Sequence, residues 1–141
     1  MNDAFDLPRG EIFAFDEIDI RLEPGPHPYE VAHQQAIAAH WVKEHTANPA
    51  LFDGPVAFFS SLRLEGRRLV GRCHIVRFST FLQWRANKLD DTGEHCFAHA
   101  LPVSSDGALI AVRMAAHTAN AGRVYFAAGS FDPNDFFGGR L

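Results

Sequence analysis

At 141 residues the chain fits one compact domain, and its 47% hydrophobic and 21% charged residues are those of an ordinary globular protein rather than a disordered one. Thirteen Lys and Arg against seventeen Asp and Glu give a net charge of −4, which disfavours a binder of nucleic-acid backbones but allows a local basic pocket for a small phosphorylated ligand. No apolar run approaches the ~18 residues of a membrane span, the acidic start lacks the parts of a signal peptide, and the two cysteines, Cys73 and Cys96, read as reduced thiols of a cytoplasmic protein.

Residues 11–22 alternate imperfectly, with Ile12, Ala14, Ile18, Ile20 and Leu22 against Glu17, Asp19 and Arg21, which predicts two short strands with a bend near Asp16. Pro24, Gly25 and Pro26 end them, and Pro28 suits the first turn of a helix that runs from Tyr29 to about His45. Val31, Ile37, Ala38, Trp41 and Val42 are its expected apolar face, and Asn48-Pro49 closes it. Residues 56–64 and 69–78 are strand-like runs joined at Glu65-Gly66-Arg67, a hairpin pattern. Ser79 is the expected N-cap of a short helix through Phe81, Leu82, Trp84 and Arg85. Residues 87–94 read as a loop, residues 95–103 and 108–114 as strands about a turn at 104–107, and residues 124–126 as a last short strand before a Gly- and Asp-rich tail. The order predicts a single α+β domain over residues 1–141, with a mixed, mostly antiparallel sheet and an N-terminal helix. Within it, residues 1–90 form a strand–helix–hairpin region and residues 91–141 a second region.

Thirteen phenylalanines imply an aromatic-rich core or an apolar surface that something covers, and Phe136-Phe137 is a candidate for the latter. Eight histidines raise metal and acid–base chemistry. His95 and His99 flank Cys96, but no second ligand pair lies nearby to complete a four-ligand site, so they read as ordinary strand histidines. His33, His40 and His45 fall on a solvated helix face, and Arg67, Arg68 and Arg72 on a solvated sheet edge. No nucleophile elbow, dinucleotide fingerprint or P-loop occurs. The connection from Arg113 to Arg123 differs in kind. Two arginine forks suited to phosphate oxygens, with His117 and Asn120 for directional hydrogen bonds to a sugar or base, make Arg113, His117, Asn120 and Arg123 the candidate substrate-binding residues.

Three runs carry a resemblance: Leu-Ile-Ala-Val-Arg at 109–113, His-Thr-Ala-Asn-Ala-Gly-Arg-Val-Tyr-Phe at 117–126, and Gly-Ser-Phe-Asp-Pro at 129–133. Together they resemble the approach to a Nudix box, of the form G-x5-E-x7-R-E-U-x-E-E-x-G-U with U a bulky apolar residue. Upstream, Asn-Pro-Ala-Leu-Phe-Asp-Gly at 48–54 and Phe-Ser-Thr-Phe-Leu at 78–82 resemble the N-terminal region of bacterial members near the UDP-sugar pyrophosphatase branch, so the likeness spans residues 41–133. Gly129 would match the first box glycine and Asp135 lies near its first acidic position, although Ala127-Ala128-Gly129 stands where the family writes Pro-Gly-Gly. The resemblance implies a partial Nudix-like fold in residues 91–141 and a hydrolase of nucleoside diphosphate-linked substrates. In the family, glutamates of the R-E-U-x-E-E helix hold Mg²⁺. That segment does not occur here, so the expectation is the N-terminal portion of such an enzyme, with no catalytic or metal-binding residue and no cofactor of its own, inactive alone and binding its ligand weakly. The alternative is a non-enzymatic interaction or oligomerisation domain, with self-association through uncovered apolar surface.

Overall fold

The computed structural model describes residues 4–87, 90–118 and 120–141. Its centre is a hairpin of two long strands, β3 (Pro55–Glu65) and β4 (Arg68–Arg77), paired antiparallel from Pro55↔Arg77 to Glu65↔Arg68. Gly66, at φ 63°, turns the chain between them, in the left-handed region that a glycine enters without a steric penalty. The flanking strands come from the start of the chain. β1 (Phe5–Asp6) runs parallel to β3, and β2 (Glu17–Leu22) parallel to β4, giving the order β1-β3-β4-β2. Two further antiparallel pairs complete the described strands: β5 (Phe97–His99) with β8 (Ala128–Ser130), and β6 (Val112–Arg113) with β7 (Val124–Tyr125). The domain is α+β with a mixed sheet that is antiparallel at its core.

Alternation along the hairpin sorts its side chains onto two faces. Val56, Phe58 and Val76 pack with Tyr29 and Ile37 and with Phe81 and Leu82 of the helices. Ala57, Phe59, Leu62 and Cys73 pack with Ile20 on the opposite face, where Phe131, Phe136 and Leu141 cover them. Phe136 is therefore part of the second core, while Phe137 is exposed.

Several sequence expectations are corrected. Residues 11–16 are not a strand. The β2–β4 register opens at Glu17↔Arg68, and the residue opposite Asp16 is Arg67 in the hairpin turn, so no β4 backbone remains to pair with. Ile12 stands fully exposed as a result. The predicted single helix is two, α1 (Pro28–Ala32) and α2 (Gln34–Ala47). His33 separates them at φ −122°, where both its N–H and its ring bond the Tyr29 carbonyl and its ring stacks on Tyr29 at 4.1 Å. Tyr29, Ile37 and Trp41 take the inward positions, leaving Val31 and Val42 exposed. Helix α3 (Phe78–Ala86) starts one residue before the predicted cap. Ser79 lies in its first turn, and the cap comes from the loop ahead of β3: Asp53 accepts from the Ser79 N–H at 2.7 Å and from its hydroxyl at 3.2 Å. The turn at 104–107 is present, but its flanks meet only at Val103↔Leu109, and the predicted strands shrink to β5 and β6. The last predicted strand is followed by β8 and a short 3₁₀ turn, Pro133–Asp135. Of the loop predicted at 87–94, residues 88 and 89 lie outside the described residues.

Candidate functional site

The outer edge of β3 does more than hold β1. Phe59 exchanges two backbone hydrogen bonds with Glu94, of 2.8 and 3.0 Å, and the Ala57 N–H donates to the Phe131 carbonyl at 2.7 Å. These bonds fix residues 94 and 131 to one rigid strand, so their neighbours His95 and Ser130 lie side by side. His95 Nε2 and Ser130 Oγ are 2.9 Å apart. Beside them α3, β5 and β8 enclose a cleft of about 590 Å³.

One wall of the cleft is aromatic. From α3 come Phe78, Phe81 and Trp84, three residues apart and hence on one helix face. From the strand side come His95, Phe97 and His99, two apart and hence on one strand face. The rings form a continuous chain: Phe78–Phe81 at 5.5 Å, Phe81–His95 at 4.2 Å, His95–Phe97 at 5.6 Å, Phe97–His99 at 5.2 Å and His99–Tyr125 at 6.1 Å. The polar complement is Arg85, whose guanidinium carbon lies 5.4 Å from the Phe81 ring centre, with Asn120, Arg123 and Ser130. The Trp84 indole N–H is buried and has no hydrogen-bond acceptor among the described residues. Burial among the rings, reinforced by the Arg85 charge, lowers the His95 pKa to about 4, so the imidazole is neutral at pH 7.

Of the four residues singled out by sequence, Asn120 and Arg123 line this cleft, and Asn120 Nδ2 donates to the Tyr125 hydroxyl at 3.3 Å. Arg113 and His117 are not among its lining residues. Arg113 donates to the Gly122 carbonyl at 3.4 Å and so staples its own loop, and His117 is exposed in a turn. Residue 119 of that loop lies outside the described residues. Sequence reasoning passed over Arg85, His95 and Ser130 as ligand-facing groups. The signal was the pair of aromatic periods, three on α3 and two on β5, which only the meeting of the two elements turns into one surface.

The histidine-rich run divides across the strand. His95 and His99 face the cleft, while Cys96 packs into the second core, where burial pushes its thiol up to about 12, as it does that of Cys73. Both thiols are therefore protonated and inert at neutral pH. The expected solvated helix histidines are partly engaged. His33 stacks on Tyr29, and His40 lies 3.4 Å from Glu44. Arg67, Arg68 and Arg72 pair with Asp16, Glu17 and Glu23 along the sheet edge. Among the described residues no group of three His, Cys, Asp or Glu side chains converges as a metal site would require, and no helix is long and apolar enough to cross a membrane. No protein-family model, curated protein or solved structure matches the chain.

Proposed function

We propose that the cleft between α3, β5 and β8 is the substrate-recognition surface of a Nudix-type hydrolase, and that it takes a nucleoside diphosphate-linked small molecule. The observation that supports this reading is one cavity of about 590 Å³ in which an aromatic wall faces two guanidinium groups. Planar rings stack on Phe81, Phe97 or Tyr125, and arginine forks engage phosphate oxygens. Arg123 and Asn120 serve the diphosphate and its sugar, and Arg85 adds a second positive charge. The Mg²⁺ of a complete family member needs several carboxylates at one point, and the described residues group none. They do not fit the ion, so the reading is confined to recognition of the diphosphate. It places the protein in the cytoplasm with a small-molecule ligand, away from nucleic acid and membrane.

Without a metal to screen the diphosphate, affinity is on the order of millimolar, or about 4 kcal/mol. Titration of UDP-glucose into isotope-labelled protein tests this. Amide shifts at α3, β5 and residues 120–130, weakened several-fold by Arg123→Ala, are expected. Shifts elsewhere, or none at tens of millimolar ligand, would overturn the reading.

A second reading rests on a different observation. Leu101, Val103, Leu109, Ile110, Val112 and Val124 are each exposed in the segment between β5 and β8. So many exposed apolar side chains in one segment suit an interaction or oligomerisation domain. Sedimentation at micromolar concentration separates the two, since a monomer that binds UDP-glucose leaves only the first.

A further inference from the structure

The cleft also holds a pair of groups that recognition of a diphosphate does not use. We propose that Ser130 is a nucleophile served by His95 as general base, and that the cleft cleaves carboxylic esters or thioesters carrying an apolar or aromatic acyl group. Three observations carry this. First, Oγ and Nε2 are 2.9 Å apart, the separation at which a hydroxyl proton passes to an imidazole. Second, the imidazole packs between two neighbouring rings, tilted against Phe81 at 4.2 Å and stacked with Phe97 at 5.6 Å, so ring packing restricts its orientation, the task for which a carboxylate is the usual device. Third, the pair opens onto a cavity with a largely apolar wall, lined also by Arg123, whose charge favours a developing negative charge, while Arg85 keeps the resting imidazole neutral and able to accept a proton. The pair is also rigid, because Glu94 and Phe131, one residue from each member, are bonded to β3.

The chemistry balances within the cleft. With the imidazole protonated at Nδ1, Nε2 accepts the Ser130 proton as Oγ bonds to the acyl carbon, and the carbonyl π pair moves onto its oxygen. Collapse of that tetrahedral species breaks the bond to the alcohol or thiol, which leaves with the proton from Nε2. Water, giving a proton to the same nitrogen, then attacks the acyl-serine, and the carboxylic acid departs as Oγ recovers its proton. No metal, oxidant or reductant is needed.

A fluorophosphonate probe with an alkyl tail, followed by peptide mass spectrometry, tests the assignment, with p-nitrophenyl butyrate turnover as the rate assay. An adduct on Ser130 is expected, abolished by Ser130→Ala and slowed about 100-fold or more by His95→Gln. The wild-type labelling rate gives a readout independent of whether the His95 variant folds. It should climb with pH through about pH 4, where the imidazole becomes neutral, and be level from pH 6 to 8. Absence of a Ser130 adduct in the wild type, an adduct rate indifferent to His95→Gln in a folded variant, or a midpoint above pH 6 would each overturn the proposal. None of these outcomes depends on UDP-glucose binding, so failure here and failure of the recognition reading are separate results.

Discussion

Gly93 is the position where one methyl group should do most damage. A Cβ built there would lie 2.5 Å from Phe58 Cζ and 3.2 Å from His27 Cε1, well inside van der Waals contact. Neither neighbour has room to retreat. Phe58 and His27 are both fully buried and 4.6 Å apart centre to centre, and Phe58 is also backed by Trp84 at 5.3 Å and Tyr29 at 6.2 Å. A Gly→Ala change ordinarily gains about 0.5 kcal/mol by restricting the unfolded chain. Overpacking a closed aromatic core costs about 1–3 kcal/mol, so Gly93→Ala should be net destabilising by about 0.5–2.5 kcal/mol. For a domain of this size that lowers the melting temperature by roughly 2–8 °C. Gly129→Ala is the control, because a Cβ there meets nothing within 4 Å, and it should melt within about 2 °C of the parent. Circular dichroism melts and urea titrations of the three proteins decide the matter. A Gly93→Ala protein as stable as the parent would show that this aromatic cluster is looser than described.

His27 is fully buried, its Nε2 lies 3.1 Å from the Phe59 carbonyl and its Nδ1 accepts the Tyr29 N–H, and burial lowers its pKa to about 4. The unfolded chain therefore binds a proton at this site before the folded one does, so stability is level above pH 6.5 and declines as pH falls towards 4, by about 3 kcal/mol for this group. Urea midpoints from pH 7.5 to 4.5 should fall accordingly, and His27→Gln should reduce the slope to the part contributed by His95; a parent midpoint constant from pH 6.5 to 4.5 would refute the assignment. Asp53→Ala removes both acceptors at the start of α3 and should destabilise by about 1–2 kcal/mol, whereas Asp53→Asn should lose less because its carbonyl still accepts the Ser79 N–H, as measured by urea denaturation.

The parts of the molecule visible in the sequence are those where local chemistry and tertiary demand agree. The β3–β4 hairpin follows from alternation and one glycine, and the end of α2 at Asn48 from the proline after it. Strand β8 was not legible because Ala128, Gly129 and Ser130 carry no strand-forming side chain; only pairing with β5 makes them a strand. The break at His33 depends on Tyr29 being locked in the core, and the loss of strand before Glu17 on where β4 begins, neither of which is local. At the cleft, the chemistry of Asn120 and Arg123 was readable as residue types. Their convergence with Arg85 and Ser130 was not, since that requires α3 to lie against β5.

The parallel seating of both outer strands bears on the order in which the molecule assembles. β3 and β4 meet through a tight turn, so their pairing needs almost no loop closure. β2 reaches β4, and the Arg67–Asp16 ion pair beside it, only by closing a loop of about fifty residues, and β1 reaches β3 across a comparable span. Contacts so distant in sequence form late, after the entropy of the intervening chain has been surrendered to something else. The hairpin with α3, contiguous from Pro55 to Ala86, is thus the natural nucleus, and β1 and β2 dock onto a sheet that already exists. Substitutions at Ile20 should then accelerate unfolding while leaving the folding rate nearly untouched, whereas those at Val56 or Val76 should slow folding itself.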